Sequence, residues 1–358
     1  MTRPTQLIID LHALNHNFRQ IRHFAPKSKV MAMVKADAYG HGAERIAQAL
    51  DVADALGVAS LEEALSLRRA GVRCPIVLME GLFTKAELIE ALAHQFILVL
   101  HHEDQLAMLE ESTQTHTCSV WVKINTGMCR LGFSPEDFSR ILPRLNACEA
   151  IQKPMGWMTH FAEADNLAAD ATLEQIALFH SLIHDLPGPQ SLANSAGILG
   201  WPKSHATWVR PGIMLYGISP FKDKKADDYQ LLPVMTLQAK LIAIHKIKKG
   251  ARIGYGGTWV APEDMLVGVV SAGYGDGYPQ FTKTGTPILV NNKICPLVGR
   301  VSMDMLTIDL RSQPQARIGD PVILWGKGLP IEIIALASNT SAYELVTRMT
   351  HRPPVETI

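Results

Sequence analysis

The sequence predicts an α/β protein: a (β/α)8 barrel of the TIM type followed by a mostly antiparallel β domain. Three observations point there. Eight short apolar runs, roughly 25 residues apart from Val30 onward, alternate with stretches of helical periodicity, the pattern of parallel strands joined by crossovers. Past a polar, charged stretch at 221–230, apolar runs follow one another between Gly, Pro and Asn turns. The 358 residues also exceed what one typical core holds. A doubly wound open sheet fits less well, because no Gly-x-Gly-x-x-Gly follows the first buried strand.

Residues 7–10 read as a short strand and 11–24 as a helix, with apolar positions at helical spacing until Pro26. Barrel strands are expected at 30–34, 55–59, 75–79, 96–100, 119–124, 155–161, 192–194 and 208–215. Helices are expected between them at 43–50, 61–70, 85–93, 105–111, 135–145 and 171–186. Beyond 230, strands are expected at 236–247, 266–272, 287–290, 305–310 and 321–325, with one helix at 331–349. The domains are therefore expected at 11–225 (barrel) and 226–358 (β domain), with strand 5–10 joining the second.

Composition narrows the function. Lysine plus arginine equals aspartate plus glutamate, 34 each, and no long like-charge run occurs, so neither nucleic acid nor an anionic membrane is an expected partner. No stretch reads as a signal peptide or a membrane span. Cys74, Cys118, Cys129, Cys148 and Cys295 are scattered and unpaired in spacing, as free thiols in a reducing cytoplasm would be. None of the 14 histidines falls in a zinc-type spacing, and no metal is expected.

Chemistry in such barrels sits at the C-terminal ends of the strands. The first strand ends in Lys35, ahead of a loop carrying Tyr39, Gly40, His41 and Gly42. An ammonium at the end of a buried strand loses hydration, so its pKa falls and its amine can attack a carbonyl or carry a proton. The alternative is a strand-end lysine reaching solvent. The fifth strand contains Lys123 and leads to Arg130; the sixth ends at His160. The loops after the last two strands offer Ser195, Gly197, Gly212 and Ile213, a hydroxyl and backbone N–H groups suited to a phosphate. A reactive lysine opposite a phosphate cup is what pyridoxal 5′-phosphate requires: an amine for its aldehyde and a pocket for its phosphate.

The segment Val-Lys-Ala-Asp-Ala-Tyr-Gly-His-Gly at 34–42 resembles the cofactor-lysine motif of the alanine racemases, a family of pyridoxal enzymes. Segments 123–132, 158–162, 193–196, 210–217, 254–258, 273–279 and 298–304 resemble the rest of that family's set, in order and across both domains. The resemblance implies a homodimer with shared active sites that interconverts L- and D-alanine. Two bases are needed, one on each face of the α-carbon. Lys35 is implied as one and Tyr255, supplied by the partner subunit, as the other, with cationic neighbours expected near the phenol. Arg210 is implied opposite the cofactor's ring nitrogen, with His160 orienting it from behind. Arg130 is implied at the substrate carboxylate. Tyr39, Asn194, Ser195, Gly212 and Ile213 are implied around the cofactor and its phosphate, and Tyr274, Met303 and Asp304, again from the partner subunit, at a narrow entryway and the substrate-carboxylate side. Lys123, buried among cations, is implied to be N-carbamylated.

Three departures stand out: His351 where a tyrosine is common, Asn125 where an aspartate is common, and Cys129 at a position often held by glycine. The alternatives are a broader-specificity racemase and a decarboxylase of the same architecture. For the decarboxylase, Cys295 does not look like the required cysteine.

Overall fold

The computed structural model describes residues 3–112 and 117–358. The chain divides into two units, Phe18–Leu215 on one side and Met1–Asn17 with Tyr216–Ile358 on the other. In the first unit eight parallel strands close into a barrel in chain order: Lys29–Met33, Ala55–Val58, Ile76–Leu78, Ile97–Leu100, Val120–Lys123, Gly156–Met158, Gln190–Ser191 and Trp208–Val209. Pairing of Val30 with Val209 closes the ring. Strands covered on both faces need no alternation, hence the continuous apolar runs. Met31, Ala55, Val77, Val99, Trp121 and Met158, each from a different strand, fill the interior as a packed layer. Gly156 makes room for the largest of them, since a Cβ there would lie 2.4 Å from the Trp121 ring.

The crossover helices start where the sequence supplies caps. Ser60, Thr84 and Ser134 each accept a hydrogen bond from the backbone N–H three residues on, at Glu63, Glu87 and Asp137. The last two strands differ from expectation. The seventh is Gln190–Ser191 rather than 192–194, because Asn194 caps a short helix, Ser195–Gly200, with its Oδ1 accepting from the Gly197 N–H at 2.9 Å. The eighth stops at Val209, because Pro211 has no N–H for a ladder, and Ile213–Tyr216 turns into a 3-10 helix.

In the second unit the long strand Met235–Ile247 pairs antiparallel with Gln6–Ile9, Met265–Val270 and Pro321–Trp325. Gln6–Ile9 also takes Val355–Thr357 as a parallel neighbour. The hairpin Pro287–Val290/Lys293–Pro296 turns on Asn291 and Asn292, with φ of 50° and 63°. The helix expected at 331–349 is two helices, Ile331–Ala337 and Ala342–Thr347. Asn339 takes a left-handed φ of 53° between them, and the Ser341 hydroxyl accepts from the Glu344 N–H to start the second. The architecture is the TIM-type barrel plus mostly antiparallel β domain that the sequence predicts.

Candidate active site

Lys35 follows the first barrel strand, and the chain beyond it does something no strand-to-helix loop requires. Ala36, Asp37, Ala38 and Tyr39 all have φ between 52° and 54°, one turn of left-handed helix. For L-residues that costs roughly 1–2 kcal/mol each. Specific partners hold the turn: Glu63 Oε1 accepts from the Ala36 N–H at 2.7 Å, and Asp37 Oδ1 accepts from the Ala43 N–H at 2.6 Å. His41, 1% exposed, donates from Nδ1 to the carbonyls of Ala38 and Tyr39 at 3.0 and 2.9 Å. Burial pushes its imidazole down to about 4, so the ring is neutral at physiological pH. Strain of this kind concentrates at functional sites.

Burial lowers the Lys35 pKa most; Glu80 opposes, Arg130 adds to the lowering, and Glu63 opposes. Lys123, 7% exposed at the end of the fifth strand, is pushed down to about 8 by burial and then by Arg210, Arg130 and Lys35, against Glu80. His160 is driven well below the usual histidine range by burial and then by Arg210, Lys123, Arg130 and Lys35. Arg210, 3% exposed, falls to about 10 through burial and stays charged. Its Nη1 donates to Ser191 Oγ at 2.7 Å, and its Nη2 donates to the carbonyls of Thr159 (2.6 Å) and Leu192 (3.1 Å) and to His160 Nδ1 (3.2 Å). The imidazole therefore accepts through Nδ1 and carries its proton on Nε2. Arg130 is exposed. Asn125, the departure beside Lys123, caps its own turn, its Oδ1 accepting from the N–H groups of Gly127 and Cys129 at 3.2 and 2.9 Å; an amide oxygen suffices for that.

Ser195 opens the short helix after the seventh strand. Its Oγ accepts from the N–H groups of Gly212 (2.9 Å) and Met214 (3.3 Å), tying that loop to the next one. Tyr39 closes the cup from the left-handed turn: a Cβ on Gly212 would lie 2.5 Å from its hydroxyl oxygen. Burial pushes the Tyr39 phenol up to about 12, so it stays a donor. The N–H groups of Ser195 and Ile213 begin helical turns and have no intrahelical acceptor. Lys35, Lys123, Arg130, His160 and Arg210 thus share one electrostatic neighbourhood, and Tyr39, Ser195 and Gly212 lie against one another, with Asn194 and Ile213 next to them in the chain.

In the other unit, Tyr255 stands on the turn Tyr255–Gly257 between the paired strands Arg252–Ile253 and Trp259–Val260. It is 71% exposed, and its hydroxyl has no hydrogen-bond partner among the described residues. Tyr274 and Met303 project from loops joined by the Tyr274 N–H to Ser302 O and Gly275 N–H to Met303 O hydrogen bonds, 3.0 and 2.9 Å. Asp304 is held by Arg352, whose Nη2 donates to its Oδ1 at 2.6 Å.

Sequence reading missed Glu63, Glu80 and Gln175. Gln175 is buried and knits two strand-end loops, donating to Thr126 Oγ1 and the His160 carbonyl at 3.1 Å each and accepting from the Ala162 N–H at 2.9 Å. In the sequence Glu63 is only a polar residue inside the helix expected at 61–70, and Glu80 only the residue after the strand expected at 75–79. Neither signal reveals that both fields reach Lys35.

Comparison with known proteins agrees with this geometry. The family model for the alanine racemase N-terminal domain matches residues 9–220, and that for the C-terminal domain matches 234–357. The alanine racemase of Coxiella burnetii is 50% identical over 357 residues, covering 98% of each chain. The crystal structure of the biosynthetic alanine racemase of Pseudomonas aeruginosa superimposes over 100% of both chains with a TM-score of 0.96 at 40% identity. The alanine racemase of Bartonella henselae, solved with covalently bound pyridoxal phosphate, gives 0.89 at 27% identity over 99% of both. Matched in both halves by models of one family, and along nearly its whole length by enzymes of one activity, the chain belongs to the alanine racemase family.

Proposed function

We propose that the chain interconverts L- and D-alanine with pyridoxal 5′-phosphate held on Lys35, using Lys35 and Tyr255 of a second copy as bases on opposite faces of the substrate. The observation that carries the reading is the convergence of a desolvated amine, Lys35, a deeply buried guanidinium, Arg210, and the Tyr39–Ser195–Gly212 cup at one end of the barrel. The donor set suits the cofactor: an amine for an aldehyde, and hydroxyl and N–H groups with close glycine approach for a phosphate.

When bound, pyridoxal phosphate withdraws electrons from the substrate's α-carbon and makes its proton removable. The residues supply the rest. With its pKa lowered by burial, Lys35 takes a proton at Nζ from one face, and the Tyr255 hydroxyl returns one from the other. Arg210 has only donors to offer, so facing the ring nitrogen it would suit an unprotonated nitrogen and a weaker electron sink, which would disfavour side reactions. Arg130 binds the substrate carboxylate through its planar fork. Tyr39, Ser195, Gly212 and Ile213 would hold the phosphate, with Asn194 capping the short helix that begins at Ser195. Lys123, pushed down to about 8, has a neutral amine fraction available to carbon dioxide; carbamylation turns a costly buried cation into an anion that braces Arg130.

The decarboxylase alternative has no support from Cys295. That thiol is fully buried beside Ser312, and burial pushes its pKa up. We assign the chain to the cytoplasm, as its five free cysteines suggest; no helix among the described residues is long and apolar enough to cross a membrane.

The test is the visible spectrum of the purified protein and of Lys35→Ala, coupled to an assay for D-alanine formed from L-alanine. A band of lysine-bound cofactor together with turnover, both lost in the variant, is expected. A band without alanine turnover would overturn the substrate assignment, and no band after adding pyridoxal phosphate would overturn the cofactor assignment.

A further inference from the structure

Behind the exposed edge that presents Tyr274 and Met303 lies a cluster of four charges drawn from both ends of the chain. Arg3 forks onto Asp276, with Nη1 donating to Oδ1 at 2.8 Å and Nη2 to Oδ2 at 2.9 Å. The same Nη2 donates to the carbonyls of Ser271 and Asp304 at 2.9 and 2.7 Å. Arg352 donates from Nη2 to Asp304 Oδ1 at 2.6 Å, and its Nε lies 3.7 Å from Asp276 Oδ1. Asp276 is 1% exposed and also accepts from the Gly273 N–H at 3.0 Å. The Arg352 guanidinium packs so closely on Gly275 that a Cβ there would come within 2.1 Å of Nη1.

Two features separate this cluster from an ordinary surface ion pair. One carboxylate is fully buried and met by a two-pronged fork, the geometry in which charge-assisted hydrogen bonds fix orientation. Its anchors are also the two loops that carry Tyr274 and Met303, so the cluster holds exactly those backbones whose side chains are 36% and 52% exposed. With two cations and two anions it is charge-balanced. Asp304 is thus committed to Arg352 and has little to offer a substrate carboxylate, which it would repel.

We infer that Arg3, Asp276 and Arg352 are positioning residues that clamp the Tyr274 and Met303 loops into one rigid edge, and that this edge sets the upper size of the amino-acid side chain admitted. The inference rests on the proposed reading of Tyr274 and Met303 as the substrate gate. A loosened edge changes which substrates pass more than it changes the chemical step.

The test compares racemisation of alanine with that of serine and 2-aminobutyrate in the holoenzyme, in Arg352→Ala and in Arg352→Lys. In Arg352→Ala, KM for alanine is expected to rise about tenfold with kcat within about threefold, and kcat/KM for 2-aminobutyrate relative to alanine to rise about fivefold. Arg352→Lys, which keeps the charge but loses the fork, is expected to fall between. Gly275→Ala displaces the same guanidinium from the other side and is expected to shift the size ratio the same way. An unchanged size ratio in folded, cofactor-loaded Arg352→Ala and Gly275→Ala would overturn the inference while the wild type still racemises alanine. A wild type without alanine racemisation would overturn the reading beneath it, and the inference with it.

Discussion

Nη2 of Arg210 lies 3.2 Å from Nδ1 of His160 at the barrel mouth, where burial and the neighbouring cations push the histidine well below its usual range. A histidine beside a buried guanidinium can only stay neutral, and a neutral imidazole has one acceptor nitrogen. That acceptor completes the set of oxygens and nitrogen that fixes the arginine plane.

His160→Ala removes one hydrogen bond to a charged donor, a loss of roughly 1.5–3 kcal/mol. Alanine racemisation is therefore expected to fall about ten- to a hundredfold in kcat/KM, with the lysine-bound cofactor band retained. Loss of the band would instead mean that His160 holds the cofactor site as a whole.

Gly212→Ala would set a methyl group 2.5 Å from the Tyr39 hydroxyl. Pyridoxal phosphate is expected to be retained about tenfold less tightly, measured by dialysis followed by the visible spectrum. The double variant with Tyr39→Phe, which removes the clashing oxygen, is expected to lose less than the sum of the two single variants.

His41 gives a pH dependence whose sign follows from its burial. Its pKa is about 4 in the folded protein against 6.5 for an ordinary histidine, so below pH 6.5 the unfolded chain binds a proton the native state does not. The associated stability is complete above about pH 6.5 and is lost as pH falls toward about 4, up to roughly 3 kcal/mol. Denaturant titrations between those pH values are expected to give a shallower pH slope in His41→Asn. An unchanged slope would mean the ring titrates normally.

Glu80 opposes the lowering of the Lys35 pKa by burial. In Glu80→Gln the lysine pKa is expected to fall further, so covalent loading of apoenzyme with pyridoxal phosphate becomes faster near neutral pH and its pH profile shifts to the acid side. A profile that stays in place or moves to higher pH would remove Glu80 from the account.

Most of the fold was legible because it is written in local pattern. Buried parallel strands need apolar runs, crossover helices need apolar positions at helical spacing, and Pro and Gly mark the ends. Where one local signal competed with another the sequence misled: residues 192–194 are as apolar as a strand but feed the Asn194 cap, and 331–349 is periodic throughout yet breaks at Asn339. The candidate site was legible as residue types in motif order, which named Lys35, Arg210 and Ser195 but not what surrounds them.

The sequence by itself determined the architecture, the family and the candidate site residues, since apolar periodicity and motif order are properties of neighbours along the chain. Only the tertiary structure decided how those side chains behave. The Glu63 contact that holds the left-handed turn after Lys35, the lowering of Lys35, Lys123 and His160 by burial and by distant cations such as Arg210, and the Arg3–Asp276–Arg352 clamp join residues tens to hundreds of positions apart. Desolvation and Coulomb energies depend on distance in space, and distance in space exists only once the barrel has closed.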